Sequence, residues 1–298
     1  MLSSGIFYPL IIKETKAIVL FKVFLQRTSF KEKEMKKINK ATIEKLYNNG
    51  ERLVPGETHD LKEVVRHRAT YDFFRRIIKQ DIKNSVGHDT QGKIKILDIG
   101  FGSGYGCYLL SQIPNTQIVG IDVEDVCYEY AVAKYMKDNI RYHIVKETAN
   151  FLQENQFDYV VSRGVLEHIT DGINLVARNA NYTKRAMLSV PYKEPAGNIH
   201  HILLNIAEAD FNMFSGEKEF FYEDGNGKTY SNPSTPDILN FTACIRKKEL
   251  LPVINYLSFP LLPGKPEFSI RRSYAFRRIF VKFPKKVFKK IRKAFSNV

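Results

Sequence analysis

The stretch IKILDIGFGSGYGCYLL, residues 94–110, decides the fold class of this chain. Its aliphatic and β-branched start, residues 94–99, is typical of a buried strand in a parallel sheet. The glycines at alternate positions from 100 to 106 then predict a tight turn in which the backbone approaches a ligand without a Cβ in the way. Because apolar residues follow at once, a helix is expected next, and its N-terminal N–H groups would face the ligand.

The spacing of these glycines distinguishes between ligands. The dinucleotide fingerprint G-x-G-x-x-G fails in both registers, since Tyr105 or Cys107 stands where the last glycine is needed. A phosphate loop is excluded because no Gly-Lys-Ser/Thr follows. The pattern present, D-x-G-x-G-x-G from Asp98, resembles the first motif of the class I S-adenosylmethionine-dependent methyltransferases. A glycine-rich turn in another α/β domain is the alternative.

The next predicted strand, residues 117–122, ends in an acid. Asp122 follows Gly100 by 22 residues. In this type of fold an acid at that strand end accepts hydrogen bonds from ribose hydroxyls. S-adenosylmethionine carries a ribose and no phosphate, so Asp122 fits that cofactor. The alternative is that Asp122 caps the helix predicted from about 125 to 137.

Strands and helices alternate along the middle of the chain. Further strands are predicted at 139–145, 157–162 and 185–190, with helical patterns at about 104–112, 125–137 and 170–181. Residues 210–214 predict a further helix. Residues 219–228 predict a strand with a glycine-rich turn, and residues 239–245 predict a returning strand. Such alternation indicates an α/β, doubly wound sheet. With the resemblance, it predicts a Rossmann-like, mostly parallel sheet of seven strands with an antiparallel final strand pair.

The resemblance extends over about residues 50–245. Residues 157–168, FDYVVSRGVLEH, resemble the fourth-strand block FDVVxxxxVLEH of these methyltransferases, and LSVP at 188–191 resembles the exit of the fifth strand. Residues 47–56, YNNGERLVPG, are similar to a GERxxP segment in methyltransferases (type 11/23-like) of bacterial surface-glycan pathways; a surface Glu51–Arg52 ion pair is the alternative. With the helical pattern at 61–78, we expect a helical lid over 41–92 and a cofactor-binding core over 93–250.

The strand ends and the resemblance together give the expected site residues. An oxygen acceptor loses a proton on methylation, so a general base with a near-neutral pKa is needed, and histidine is the usual choice. For His168 a structural hydrogen bond is the alternative. The expected residues are Asp98, Gly100, Gly102, Gly104, Asp122, Val123, Glu147 and Arg163 for the cofactor, Arg52 and Tyr192 for the substrate, and His168, His200 and His201 as candidate bases.

A metal is not expected from the sequence. Some relatives hold a divalent metal through E-x-x-E-H, but Gly164 stands at the first position here, and only Glu167 and His168 match. The three cysteines are widely spaced with no C-x-x-C pair. They indicate reduced thiols in a cytosol-like compartment rather than a disulfide scaffold or zinc site.

The positive charge is concentrated at the C-terminus. Residues 246–298 contain 15 Lys or Arg and two acids, so they hold +13 of the net +14. Within the basic tail, 251–298, residues 283–298 predict an amphipathic helix with an apolar stripe at Val287, Ile291 and Phe295, of the kind that binds anionic membrane surfaces. A solvated tail, a helix packed on its own protein, and nucleic-acid binding are the alternatives.

The N-terminal residues 1–40 are expected to be an extension outside the fold. Residues 6–25 are rich in apolar side chains but interrupted by charges, so they suit neither a membrane span nor a signal peptide. Residues 35–40, MKKINK, are typical of a cytosolic protein start. A membrane-associated helix is the alternative.

These patterns predict a methyltransferase that uses S-adenosylmethionine. The resemblance and the basic tail favour O-methylation of a sugar in a surface glycan or a lipid-linked glycan, by a cytoplasmic protein peripheral to the membrane. A methyltransferase of a lipid quinone or small metabolite is one alternative. A non-catalytic binding module is another, because fold does not imply function.

Overall fold

The computed structural model describes residues 38, 40–48, 52–55, 61–84, 92–233, 237–247, 251 and 253–254. From residue 40 onward these residues belong to one compact unit. Most of the N-terminal extension and nearly all of the basic tail, including its predicted amphipathic helix, lie outside the described residues. Within the described part, no helix has both the length and the apolar character needed to cross a bilayer.

Two helices precede the sheet, and strands then alternate with helices. The elements are α1 (Lys40–Asn48), α2 (Leu61–Asn84), β1 (Ile94–Ile99), α3 (Tyr105–Leu110), β2 (Thr116–Asp122), α4 (Asp125–Tyr135), β3 (Ile140–Ile144), α5 (Thr148–Glu154), β4 (Gln156–Arg163), α6 (Gly172–Asn179), β5 (Asn181–Pro191), β6 (Glu217–Asp224), β7 (Thr229–Tyr230) and β8 (Ile238–Arg246). Short 3-10 helices occupy Leu166–His168 and Glu208–Phe211.

The predicted fold class is confirmed by the sheet. Its strand order is β3-β2-β1-β4-β5-β8-β6-β7, with β1 to β5 paired in parallel and β8 antiparallel to both β5 and β6. The chain reverses its direction of winding between β1 and β4. At such a switch point, loops from neighbouring strand ends separate and leave a crevice.

The predicted number of strands was wrong, because the sheet has eight rather than seven. The additional strand is β7, two residues that pair antiparallel with β6. Asp224 turns the chain back: its side chain accepts backbone N–H bonds from Asn226 at 2.8 Å and Lys228 at 2.9 Å. A strand of two residues has no periodicity from which to predict it.

Two further elements differ from the expectations. The helix α5 was not predicted, and the helix expected at 210–214 is instead the 3-10 helix Glu208–Phe211. Both segments are short. Hydrophobic periodicity needs more than two turns to be distinguished from chance.

The helix α2 is longer than predicted and is attached to the sheet by a buried ion pair. Arg185 on β5 is fully buried, and its Nε and Nη2 each lie 3.0 Å from the carboxylate of Asp81, near the end of α2. Glu219 approaches Arg185 Nη1 at 3.3 Å. Burial raises the pKa of Asp81, and the hydrogen bonds from Arg185 oppose this rise. The pair attaches the C-terminal end of α2 to β5.

Candidate active site

A cavity of about 780 Å³ lies where the parallel strands end. Its walls come from the turns after β1, β2 and β4, the first turns of α2 and the loop after β5. Ligand pockets commonly have volumes of about 300–1,000 Å³. The predicted site residues that line it are Arg52, Gly100, Gly102, Asp122, Val123, Arg163, His168, Tyr192, His200 and His201. Asp98, Gly104 and Glu147 are not among its lining residues.

The glycine turn presents open backbone to the cavity. Gly102 has φ +52°, and a Cβ built there would meet only Arg52 Cγ within 4 Å, at 3.9 Å. Its N–H donates to Asp122 Oδ2 at 2.9 Å. A ligand can therefore approach the main chain at Gly102 closely, which any larger residue would prevent.

Asp122 is held in place by backbone groups. Its Oδ1 accepts N–H bonds from Val123 at 2.8 Å and Glu124 at 3.2 Å, and Arg52 Nη2 lies 3.9 Å from the same oxygen. A carboxylate has about four acceptor positions. Three backbone donors use three of them, so Oδ2, which accepts only from Gly102 among these donors, retains capacity for a ligand hydroxyl.

Asp98, at the end of β1, links the glycine turn to α2 through buried hydrogen bonds. It is fully buried, and the hydroxyl of Tyr71 donates to its two oxygens at 3.0 and 3.2 Å, while Cys107 Sγ lies 3.3 Å away. Burial raises the pKa of Asp98 to about 7. Gly106 makes room for the ring: a Cβ there would lie 2.1 Å from Tyr71 Cζ.

The other two residues that do not line the cavity stand at helix starts. Gly104 precedes α3 and is buried, and a Cβ there would lie 2.6 Å from the Cβ of Ala131. Glu147 precedes α5 and is exposed, while its neighbours Val145 and Thr148 line the cavity.

Arg163 is fixed by side chains of α2. Its Nε donates to Thr70 Oγ1 at 3.0 Å, and its Nη1 lies 3.1 Å from His67 Nδ1. Burial, and then the charge of Arg163, lower the pKa of His67 well below its usual value, so a neutral ring accepts this bond. Glu63, Arg66 and His67 also line the cavity and were not predicted. These three polar residues are spaced three and four positions apart, so they lie on one face of α2, and this spacing was the sequence signal that could have indicated them.

Three side chains that could bind a cation meet at the loop after β5. The carbonyl of Glu167 accepts N–H bonds from Ile202 at 2.8 Å and Leu203 at 3.0 Å, which fastens this loop to the 3-10 helix after β4. His201 thereby reaches Glu167 and His168, and the ligand atoms of the three residues lie within 4.8 Å of one another. We call Glu167, His168 and His201 the Glu–His–His cluster.

Oxygen atoms orient both rings of this cluster. His168 Nδ1 lies 2.9 Å from the carbonyl oxygen of His200, and His201 Nδ1 contacts the carboxylate of Glu194. The rings meet edge to face, with centroids 4.7 Å apart. Glu167 is only 2% exposed, and burial raises its pKa to about 7.

Tyr192 presents its ring rather than its hydroxyl to this site. The hydroxyl donates to Glu208 Oε1 at 3.0 Å, and the Lys193 ammonium lies 4.8 Å from the ring centroid. Edge contacts with Tyr222 and Phe241 hold the ring at the cavity wall.

A family model matches part of the chain, and several solved structures are similar to it. Residues 96–184 match the family model of a methyltransferase domain. No curated protein sequence matches the chain. Similar solved structures include the N-terminal domain of EvdMO1 in the presence of SAH and D-fucose, with 16% identity, coverage of 71% of this chain and 98% of that chain, and a TM-score of 0.46.

Two other solved structures have a comparable likeness. The N-methyltransferase NodS from Bradyrhizobium japonicum WM9, in complex with S-adenosylhomocysteine, has 15% identity, coverage of 70% of this chain and 97% of that chain, and a TM-score of 0.46. The methyltransferase domain of bacterial CtHen1 has 13% identity, coverage of 61% and 99%, and a TM-score of 0.45. The family match and the sheet order agree on a class I methyltransferase fold, and S-adenosylmethionine is the cofactor of that family.

Proposed function

We propose that this protein transfers the methyl group of S-adenosylmethionine to an oxygen of a sugar, in a surface glycan or a lipid-linked glycan. One observation carries the proposal: a single cavity contains both the open backbone of Gly102 beside Asp122 and the Glu–His–His cluster. The match to a methyltransferase domain supports the reaction class. The choice of a sugar as the acceptor rests on the sequence resemblance and on the polar residues that line the cavity.

The cofactor is assigned to the turn after β1 and the end of β2. Asp122 Oδ2 accepts a ribose hydroxyl, and Gly102 lets the main chain approach the ligand. Val123, 56% exposed and lining the cavity, offers apolar surface next to Asp122 for the adenine ring. When bound, S-adenosylmethionine supplies a methyl group activated on a sulfonium. The protein's own contribution is alignment, which accelerates such a displacement strongly.

The acceptor is assigned to the Glu–His–His cluster. As its oxygen forms a bond to the methyl carbon, the carbon–sulfur bond breaks, and the acceptor hydroxyl loses a proton. That proton leaves toward the cluster, whose rings are oriented by Glu194 and by the carbonyl of His200. Orienting partners of this kind keep an imidazole in one tautomer and one position.

Polar side chains around the cluster support a hydroxylated acceptor. Arg66, Lys193, Glu194 and Asn240 line the same cavity. A few convergent polar groups fix the orientation of a ligand that has many hydroxyls, whereas a quinone ring presents few. Arg52, within the segment that resembles the glycan-pathway enzymes, also lines the cavity.

Calorimetry followed by a transfer assay tests this function. S-adenosylhomocysteine is expected to bind, and NAD is expected not to bind. Methyl-labelled cofactor, incubated with extracts enriched in glycans, lipids or RNA, should label the glycan or glycolipid fraction. Label in quinones or RNA would contradict the sugar assignment. Cofactor binding with transfer to none of the fractions would identify a binding module, and tighter binding of NAD would overturn the proposal altogether.

The basic tail supports an acceptor at a membrane. The positive charge is concentrated in residues 246–298 and the apolar stripe lies in residues 283–298. Anionic lipid attracts such segments by about 1 kcal/mol per basic residue near the surface. A chain truncated after Pro266 should keep cofactor binding but no longer sediment with anionic liposomes at physiological salt. Equal sedimentation of the full-length and truncated chains would contradict a membrane role for the tail. Tighter binding to RNA than to liposomes would instead indicate nucleic acid as the partner of the tail.

A further inference from the structure

The loop after β5 is a short hairpin that is closed at its base by backbone hydrogen bonds. The N–H of Lys193 donates to the carbonyl of Ile206, and the N–H of Asn205 donates to the carbonyl of Glu194, both at 2.9 Å. We call the residues between these two bonds, 195–204, the loop tip. Because one side of the loop tip lines the cavity, the tip forms part of the cavity mouth.

The two sides of the loop tip carry different side chains. On the inner side, His201 lines the cavity and Leu203 packs against the core. On the outer side, Ile199, Ile202 and Leu204 are 91%, 57% and 37% exposed. Apolar side chains that are exposed singly need no explanation, but contiguous ones mark interaction sites. Three large aliphatic side chains within residues 199–204, beside the mouth of a cavity, therefore indicate a binding surface.

The turn at the end of the loop tip does not require an isoleucine at position 199. Asn198 makes the turn: its side-chain Oδ1 accepts the N–H of His200 at 3.0 Å, and its carbonyl accepts the N–H of His201 at 3.3 Å. Turn positions are usually occupied by polar residues or glycine. A polar residue would complete this turn equally well, so the exposed side chain of Ile199 points to a partner outside the chain.

We propose that the loop tip inserts Ile199, Ile202 and Leu204 into the surface of an anionic membrane, so that the mouth of the cavity faces the lipid headgroups. The inference rests on the proposed function, because it brings the sugar of a lipid-linked acceptor into the cavity while the lipid stays in the bilayer. The charge of the chain fits this partner, since residues 246–298 hold +13 and anionic lipid attracts basic segments. Stable membrane attachment takes two weak signals together, and the loop tip and the basic tail supply one each.

A folded protein is the competing partner, and the small size of the loop tip argues against it. Standard protein interfaces contain about 20–30 residues on each side. The loop tip spans only residues 195–204, and its apolar side chains come from one short segment. A bilayer surface has no fixed shape to match, and each aliphatic side chain that enters it gains free energy in proportion to the apolar area removed from water. The loop tip therefore fits a lipid surface better than a folded partner.

A tryptophan placed in the loop tip reports insertion directly, because the chain contains no tryptophan of its own. Full-length Ile199→Trp is mixed with vesicles of phosphatidylcholine and phosphatidylglycerol. Its emission should shift to shorter wavelength, and lipids brominated on their acyl chains should quench it. Met136→Trp is the matched control and should show neither effect, because Met136 is 44% exposed and precedes β3, at the edge of the sheet opposite the cavity. Absence of a shift in Ile199→Trp, or equal shifts in both variants, would overturn the proposal.

Removal of the apolar side chains tests what they contribute to binding. The full-length double variant Ile199→Ser, Ile202→Ser should bind the same vesicles at least about tenfold more weakly than the wild type in a sedimentation assay, whereas Met136→Ser should bind as the wild type does. Calorimetry with S-adenosylhomocysteine should give the same affinity for all three chains, which shows that they are folded. Equal vesicle binding by the wild type and the double variant would contradict insertion of the loop tip.

Two further readouts separate this proposal from its competitors. Sedimentation velocity without lipid tests for a second copy of the chain: self-association that the double variant abolishes would identify that partner and overturn the membrane assignment. The transfer assay separates the proposal from the proposed function. If the loop tip inserts and no glycan or glycolipid is methylated, the proposed function fails and the membrane contact stands. If the glycan fraction is methylated and the loop tip does not insert, the membrane contact alone is wrong.

Discussion

The two sides of the cavity are built differently. The cofactor side, residues 100–103 with Asp122, is made largely of backbone at two adjacent strand ends. Hydrogen bonds from Gly102 to Asp122, and from Gly100 and Phe101 to the carbonyl of Ile121, join the two ends. The acceptor side, the Glu–His–His cluster with Glu194, consists of side chains from separate segments, brought together by a loop bonded to the carbonyl of Glu167. A short sequence pattern specifies the first side, while only tertiary contacts specify the second.

The same contrast separates their chemistry. The cofactor side offers fixed backbone donors and one carboxylate, which suit recognition of a constant molecule. The acceptor side contains the buried Glu167, whose pKa is raised by its burial, and perturbed groups of this kind are typical of sites that move protons. Variants on the two sides should therefore affect binding and turnover separately.

The largest effect is expected on the acceptor side. His201→Ala should lower kcat by about 10²–10⁴-fold, because it removes a base that accepts the proton of the acceptor hydroxyl. Cofactor affinity should stay nearly unchanged, as measured by calorimetry with S-adenosylhomocysteine. His143→Ala is the control and should keep its turnover. A loss of cofactor affinity as large as the loss of kcat would show that the two sides are not separable.

The helix α2 lines the cavity that both sides share, and the ion pair between Asp81 and Arg185 attaches this helix to the sheet. Asp81→Ala leaves the buried Arg185 without its bidentate partner and should lower the free energy of unfolding by about 3–5 kcal/mol. Urea denaturation measures this change. Arg178→Ala breaks the exposed pair with Asp171, in which both side chains are about half exposed, and should cost under about 1 kcal/mol. Similar losses in the two variants would contradict the role of α2.

The cofactor side should respond in affinity rather than in rate. Asp122→Ala removes a charged acceptor of ribose hydroxyls, so the binding of S-adenosylhomocysteine should weaken by about 1.5–3 kcal/mol, or roughly tenfold or more. Calorimetry measures the affinity. Asp125→Ala, an exposed acid on α4, is the control. Unchanged affinity in Asp122→Ala would remove this residue from the cofactor side.

The effect that appears only as a pH dependence concerns the buried Asp98. Its pKa of about 7 in the folded protein exceeds the unfolded value of 3.8 because the carboxyl is buried. The folded state therefore holds this proton more tightly. The stabilisation is fully present below about pH 4 and is lost as the pH rises to about 7, with a slope of at most about 1.4 kcal/mol per pH unit.

Asp98→Asn removes this titration while retaining an acceptor for Tyr71. The difference in unfolding free energy between wild type and variant, measured by urea denaturation from pH 4 to 7, should shift against the wild type as the pH rises. A difference that is constant over this range would show that Asp98 has an ordinary pKa.

Sequence alone was sufficient where structure is local or repetitive. The strand β1 occupies the predicted residues, 94–99, because parallel strands buried on both faces require uninterrupted aliphatic residues. The order of strands and helices followed from the same rule. The two-residue strand β7 did not, because the side chain of Asp224 produces it rather than any periodicity.

The site was predictable only in part, for the same reason. Gly102 and Asp122 lie at strand ends, and this position alone placed them beside the cavity. Asp98, in the same motif, does not line the cavity. Its carboxylate is instead hydrogen-bonded to Tyr71, which lies 27 residues earlier on α2. His201 meets Glu167 only because the loop after β5 folds back onto the carbonyl of that residue. Contacts between residues far apart in the chain produce no regular spacing in the sequence from which they could be predicted.

A crystal structure with S-adenosylhomocysteine tests the central claim most directly, since that claim is a division of one cavity between cofactor and acceptor. The account predicts ribose hydroxyls hydrogen-bonded to Asp122, the main chain at Gly102 against the ligand, and the sulfur atom facing the Glu–His–His cluster across open cavity. A ligand that occupies the cluster itself, or whose ribose lies away from Asp122, would contradict it.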